Sequence, residues 1–149
     1  MRAVAQRVSR AEIRVAGETL GSMGHGLLAL VGVAGDDKPE HARWLADKLV
    51  HLRVFPDAEG KMNLSLLEAG GGLGIVSQFT LLGDCRKGRR PSYHAAARPE
   101  EAERLIELLI AQAEALGATV TTGRFRAMME VDLVNDGPVT LVLDTRDLS

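Results

Sequence analysis

Ser77-Gln78-Phe79-Thr80 places two hydroxyls and an amide at the end of an apolar run, just before a stretch with no periodicity. Polar groups delivered by a strand end into a loop are a common site arrangement. A Ser or Thr hydroxyl attacks an ester or amide only when a base takes its proton. No Gly-x-Ser-x-Gly elbow surrounds Ser77, so the α/β-hydrolase type of nucleophile is not indicated. The same hydroxyls also suit purely structural bonds to nearby backbone. The histidines are His25, His41, His51 and His94, and only His94 lies near this stretch in sequence. Asp37 and His41 share a helical face, but two ligands do not make a metal site. Neither a metal nor another cofactor is expected.

Arg86-Lys87-Gly88-Arg89-Arg90 is the one dense charge cluster. It reads either as a solvated loop or as a contact for a nucleic-acid backbone, which Arg and Lys position without reading sequence. Pro91-Ser92-Tyr93 adds rigidity and one ring for stacking. Gly70-Gly71-Gly72-Leu73-Gly74 precedes a strand instead of opening a helix, so it fails the structural context of a nucleotide loop. Asn135-Asp136-Gly137-Pro138-Val139-Thr140 is rich in turn formers. It separates two alternating segments, Met129-Val131-Leu133 and Val139-Leu141-Leu143, and reads as a hairpin turn between them. A Gly–Pro bond is also where a cis peptide is common.

The elements that must carry these groups follow from periodicity. Residues 2–8, 13–15 and 18–20 read as strands, the latter two around a turn at Ala16-Gly17. Gly26 to Val33 is nearly all apolar, as a strand buried on both faces must be. Asp36 or Asp37 suits the N-cap of a first helix, with Pro39 in its first turn. Ala42, Leu45, Ala46, Leu49 and Val50 form its buried stripe. Residues 52–55 and 73–79 read as strands, and Leu64 and Leu66 as an extended piece. A second helix begins near Pro99, buries Ala102, Leu105, Ile106, Leu109, Ala113 and Leu116, and ends at Gly117. Strands near 118–122, 128–134 and 139–144 close the chain. Strands outnumber helices without alternating with them, which predicts an α+β fold: one domain over residues 1–149, largely antiparallel or mixed sheets, and two main helices on one side.

The 149 residues suit one domain with a real core. Only 3% are aromatic, so that core must be aliphatic. A net charge of −2 gives no global attraction for nucleic acid, so an RNA partner would need a local basic patch. Cys85 is the single cysteine, which excludes an intramolecular disulfide and suits a reducing cytoplasm. The first residues lack the apolar core of a signal peptide. No apolar run approaches the roughly 20 residues of a membrane helix, so no membrane partner is expected.

Taken together, five stretches resemble the D-aminoacyl-tRNA deacylase family. They are residues 1–8 (Met-Arg-Ala-Val-Ala-Gln-Arg-Val), 60–65 (Gly-Lys-Met-Asn-Leu-Ser), 77–81, 86–92 and 135–140, in the family's order across essentially the whole chain. The Ser-Gln-Phe-Thr and Gly-Pro stretches are its hallmark pair. The resemblance implies a cytoplasmic homodimer that hydrolyses the ester of D-aminoacyl-tRNA, with sites at the subunit interface. It implies that Ser77, Gln78, Phe79 and Thr80 line the site, mainly through backbone N–H groups that hold the acceptor end. It implies that Gly137 and Pro138 carry a cis bond and reach into the partner's site, where their carbonyls exclude an L side chain. It implies that the tRNA's own 2′-hydroxyl assists water and that no side chain acts as nucleophile. Ala127 and Met129 are expected in the pocket, and Arg86, Lys87, Arg89 and Arg90 in the tRNA contact. A filter of carbonyls cannot reject glycine, so glycyl-tRNA, as mischarged on tRNA(Ala), is an expected second substrate. Three positions depart from the family's usual pattern: Arg126 stands where Gly is usual, Cys85 where Thr or Ala is commoner, and Leu82 where an aromatic is usual. Two other functions compete with this one. One is a general esterase with a Thr80 or Ser77 nucleophile. The other is a non-catalytic tRNA-binding protein that uses the basic cluster.

Overall fold

The structure is a computed structural model and describes residues 1–148. Its longest contacts run along β1 (Arg2–Val15), which is antiparallel to β2 (Glu18–Met23), β3 (Gly26–Gly32) and β8 (Glu130–Asp144). β1 reverses into β2 through Ala16 and Gly17, both at positive φ (49° and 79°), as a tight two-residue hairpin requires. β3 then pairs in parallel with β6 (Gly72–Ser77), and β6 in parallel with β7 (Thr119–Thr122). The order is β2-β1-β3-β6-β7, with β8 beside β1. The sheet curls until its two ends meet: a Cβ on Gly21 of β2 would lie 2.6 Å from Thr121 Cγ2 of β7.

Helices α1 (Pro39–His51) and α3 (Pro99–Ala115) cover one sheet face, as the sequence predicts. Ala42, Leu45, Ala46, Leu49 and Val50 of α1 are fully buried against Ala3, Ala5, Ala29 and Val31. Each leucine buried there contributes about 2 kcal/mol. A smaller cluster of Val8, Ala11, Ile13, Leu28 and Val76 fills the curl on the other face. β1 serves both clusters because an extra residue near Ser9 shifts its register against β8 and changes which residues face which side.

Several expectations change. Residues 2–8 and 13–15 are not separate strands but one, β1, and the strand expected over 73–79 ends at Ser77, before the 3-10 turn Phe79–Leu82. Residues 130–144 form one strand, not two arms of a hairpin. Val131 to Asn135 pair with Ile13 to Val8, Thr140 to Asp144 pair with Gln6 to Arg2, and the chain never reverses. The turn formers between them make an excursion out of the strand. The expected strand at 52–55 shrinks to β4 (Phe55–Pro56), paired with β5 (Met62–Leu64). Leu66 begins a one-turn helix, α2 (Leu66–Ala69), because Ser65 and Glu68 cap it reciprocally. Lys38, not an aspartate, is the N-cap of α1. Asp37 is drawn inward instead, where its carboxylate accepts from the Ala34 N–H (2.6 Å) and meets the Met1 amino group and His41 Nδ1. Thr145 joins this cluster, tying the two ends of the described chain together.

The helices leave uncovered the sheet face that carries Arg2, Val4 and Gln6 opposite Asp144, Val142 and Thr140. Val142 on that face is 69% exposed.

Candidate functional site

Ser77 ends β6 opposite Val31 of β3. The Gln78 N–H donates to the Val31 carbonyl (2.7 Å), and the chain then tightens into a 3-10 turn, Phe79–Leu82. Leu81 N–H donates to Gln78 O (3.2 Å) and Gly83 N–H to Thr80 O (3.0 Å). The turn sits directly on Gly32, where a Cβ would lie 2.4 Å from Leu82 Cδ2 and 2.9 Å from Gln78 O. Only glycine fits beneath it. The first N–H groups of such a turn, here Phe79 and Thr80, have no carbonyl partner within it. They are free to meet an oxyanion, as backbone donors do in acyl transfer.

The side chains of this stretch are polar but not activated. Gln78 Nε2 donates to Thr80 Oγ1. The Phe79 ring, 57% exposed, packs edge-on against Tyr93 at 5.2 Å. Among the described residues no histidine or carboxylate bonds either Ser77 or Thr80. His25 packs on Phe55, His41 on Asp37 and His51 on Asp47. Nor do three His, Cys, Asp or Glu groups converge anywhere among the described residues.

Beside Ser77 opens a cleft of about 220 Å³, between α3 and the segment after β7. Ile106, Ile110, Phe125 and Met129 give it apolar walls, and Glu103 and Arg124 are also in its lining. Phe125 escaped the sequence reading. It stands four residues before Met129 in a chain nearly free of aromatics, which was the available signal. Ala127 lies half-buried in the turn between them and donates its N–H to Arg124 O (3.2 Å). Arg126 in that turn has φ 65°, the left-handed region that glycine adopts freely.

Gly137 and Pro138 occupy the exposed excursion of β8, and the bond between them is cis. β1 anchors the excursion. Arg7 Nε donates to Asp136 O (3.0 Å), while its Nη1 donates to Val54 O (2.6 Å). Asn135 Nδ2 donates to Arg7 O (2.9 Å), and Gln6 Nε2 to Thr140 Oγ1 (3.1 Å). The excursion and the Ser77–Thr80 turn do not meet within one chain by sheet register. β6 and β8 are three strand spacings apart (β6-β3-β1-β8), roughly 14 Å across the sheet. The excursion also lies about four residues, roughly 13 Å, further along β1.

The basic cluster rises from the same turn. Asp84 and Ser92 exchange backbone hydrogen bonds (2.7 and 3.0 Å), closing residues 84–92 into a projecting loop whose return leg delivers Tyr93 to Phe79. Arg86 is not a free cation there. Its Nε and Nη2 donate to the Asp84 carboxylate at 2.9 and 2.7 Å, and with the Arg86 N–H they hold that carboxyl down to about 2. Lys87, Arg89 and Arg90 are exposed, and none enters an ion pair among the described residues. No helix among the described residues is long and apolar enough to cross a membrane.

Comparison with known proteins places these features in context. A family profile described as D-Tyr-tRNA(Tyr) deacylase matches residues 4–144. A protein of Anaeromyxobacter dehalogenans (strain 2CP-C) named D-aminoacyl-tRNA deacylase is 59% identical over 148 residues, 99% of each chain. One of the same name from Halalkalibacterium halodurans is 53% identical over 146 residues, 98% of this chain and 100% of the other. Among solved structures, the c-Myc DNA Unwinding Element Binding Protein superposes with a TM-score of 0.91 at 35% identity, covering 97% of this chain and 98% of its own. The structure of "a probable eukaryotic D-amino acid tRNA deacylase" superposes at 0.81 over 95% of this chain and 97% of its own, and at 18% identity shows the fold alone.

Proposed function

The chain belongs to the D-Tyr-tRNA(Tyr) deacylase family, and we propose that it hydrolyses the ester of D-aminoacyl-tRNA. Water adds to the ester carbonyl carbon, the bond to the tRNA terminal ribose oxygen breaks, and free tRNA and a D-amino acid leave. The observation that carries this reading is the turn at Ser77–Thr80. Among the described residues it offers backbone N–H groups of Phe79 and Thr80 without a backbone acceptor, beside a cleft, and brings no base to either hydroxyl. A site of donors without a nucleophile stabilises the oxyanion and leaves proton transfer to the substrate. The tRNA 2′-hydroxyl next to the ester fills that role.

Selectivity for the D ester comes from Gly137 and Pro138 of a second copy. Within one chain the excursion lies three strands across and about four residues along from Ser77, too far to reach it. The uncovered sheet face, with Val142 exposed, supports a homodimer in which each excursion enters the other copy's site. Carbonyls there crowd an L side chain and leave a D side chain free. Glycine has no side chain to crowd, so glycyl-tRNA is cleaved as well. Lys87, Arg89 and Arg90 meet phosphates of the acceptor end, and the reaction is cytoplasmic, where aminoacyl-tRNA is made.

The DNA-binding name of one solved relative, together with the projecting basic loop, favours binding without hydrolysis as the second reading. Incubation with matched D- and L-tyrosyl-tRNA separates the two. Cleavage of the D ester alone is expected. Salt-sensitive binding with both esters intact would establish the second reading.

A further inference from the structure

Arg2 joins two elements that the sheet alone would leave apart. Its Nη1 donates to the Leu81 carbonyl at 2.9 Å, and its Nε to Asp144 Oδ2 at 3.0 Å. The backbone that carries it is fixed on both sides, paired with Gly32 of β3 and Asp144 of β8. The residue before it is held by Asp37 and Thr145. Asp144 also binds Arg146, with Nη2 to Oδ2 at 2.7 Å, so the carboxylate keeps a partner even without Arg2.

Leu81 belongs to the last part of the four-residue turn whose other end carries the Phe79 and Thr80 N–H groups. Terminal carbonyls of a turn have no partner inside it, and Arg2 supplies one. The turn is otherwise held at its entry by the Gln78 N–H bond to Val31 O and by Phe79 packed on Tyr93, and at its exit by the buried Leu82 seated on Gly32, so Arg2 is the side chain that fixes its exit through a hydrogen bond. Four residues in a 3-10 turn move as a unit, so whatever holds the Leu81 carbonyl also sets where the N–H groups stand. Displacement of a reacting constellation by about 1 Å costs on the order of 100-fold in rate.

We propose that Arg2 is a positioning residue for hydrolysis, holding the Leu81 carbonyl so that the Phe79 and Thr80 N–H groups face the ester at the right height. The inference rests on the deacylase reading above. A merely structural role would act through the Arg2–Asp144 ion pair, which a substitution at Asp144 also removes.

The test compares wild type, Arg2→Met, Arg2→Lys and Asp144→Asn in the full chain. The readouts are kcat and KM on D-tyrosyl-tRNA, melting temperature, and the amide chemical shifts of Phe79 and Thr80. Arg2→Met is expected to lose about 10- to 100-fold in kcat with KM nearly unchanged, and to move both amide shifts. Arg2→Lys, which keeps one donor for Leu81, is expected to recover part of that loss. Asp144→Asn is expected to keep kcat and the two shifts, even if its melting temperature falls. Unchanged kcat in Arg2→Met overturns the inference, as does an equal kcat loss in Asp144→Asn. If Arg2→Met does not fold, Arg2→Lys decides by the same kcat and amide readouts. A wild type that cleaves no ester overturns the deacylase reading and this inference together. An active wild type with an indifferent Arg2 overturns the inference alone.

Discussion

Arg7 and Asp136 are tied twice: Arg7 Nε lies 3.2 Å from the Asp136 carboxylate and 3.0 Å from its carbonyl oxygen. The Arg7 side chain is only 12% exposed, and its other arm donates to Val54 O. One guanidinium therefore sets the place of the Gly137–Pro138 excursion relative to β1 and the β4 region. Arg7→Met leaves these carbonyls without their donor. The expected cost is about 1–3 kcal/mol of stability, read as a lower denaturant midpoint. The excursion is also expected to loosen, so L-tyrosyl-tRNA is cleaved measurably while the D ester still turns over. Unaltered D/L discrimination in a folded Arg7→Met would show that the excursion holds its place without Arg7.

Gly137 has no room for a side chain. A Cβ there would lie 2.6 Å from Asn135 Oδ1, and the Asn135 amide is what ties the excursion to the Arg7 carbonyl. Gly137→Ala must push that amide aside or move the excursion. Since Asn135 and Gly137 are exposed, the fold is expected to survive at a cost of about 1 kcal/mol. Selectivity is expected to fall, seen as a smaller ratio of D- to L-ester cleavage rates.

Much of this was legible in the sequence; the caps of α1 and α2 were local signals that were misread, and the larger misses are long-range. The stripes of α1 and α3 and the apolar β3 are local patterns, and they appear where periodicity puts them. The turn chemistry of residues 135–140 was also legible, but its consequence was not. Turn formers say that the chain departs from a strand. Only pairing with β1, some 130 residues away, decides that both flanks continue in one direction. The cleft was hidden for the same reason, because it joins Ser77 to Ile106 and Phe125. Arg126 is the reverse case, an oddity in sequence that the backbone explains. At φ 65° an L side chain is strained by roughly 1–2 kcal/mol. Arg126→Gly relieves that strain but adds freedom to the unfolded chain. The net gain is expected to be about 0.5–1 kcal/mol, visible as a melting temperature a few degrees higher.

Among the described residues the basic loop carries three cations without an ion-pair partner, Lys87, Arg89 and Arg90, while Asp84 holds the fourth, Arg86. Asp84→Asn frees Arg86, which is expected to tighten tRNA binding and steepen its salt dependence by about 0.7–0.9 in the log–log slope. Lys87→Ala, Arg89→Ala and Arg90→Ala are each expected to flatten it by a similar amount. The Asp84 carboxyl is lowered from 3.8 to about 2, so its contribution to loop order is complete above pH 3.8 and is lost only as pH falls through about 2. A tRNA-binding titration between pH 5 and 8 should therefore show no step from this group. A step that vanishes in Asp84→Asn would contradict the pairing.

Thr80 decides between hydrolysis by water and hydrolysis through a covalent acyl-enzyme. A threonine nucleophile needs a base within hydrogen-bond reach, and among the described residues the one partner of Thr80 Oγ1 is the Gln78 amide, which donates to it and takes no proton. Thr80→Ala removes the hydroxyl and leaves the backbone N–H in place. Its turnover of D-tyrosyl-tRNA is expected to stay within about tenfold of wild type, since loss of one neutral hydrogen bond is worth about 1 kcal/mol. Loss of a true nucleophile costs far more, and a burst of acyl-enzyme would accompany it in wild type. Ser77→Ala is expected to behave like Thr80→Ala. The larger effect belongs to changes in the donors: if the Phe79 and Thr80 N–H groups hold the oxyanion, proline at position 80, which removes one of them, should cost on the order of 100-fold or more in kcat. A mild Thr80→Ala beside a severe Thr80→Pro of intact fold would assign the chemistry to the backbone, and the opposite order would assign it to the hydroxyl.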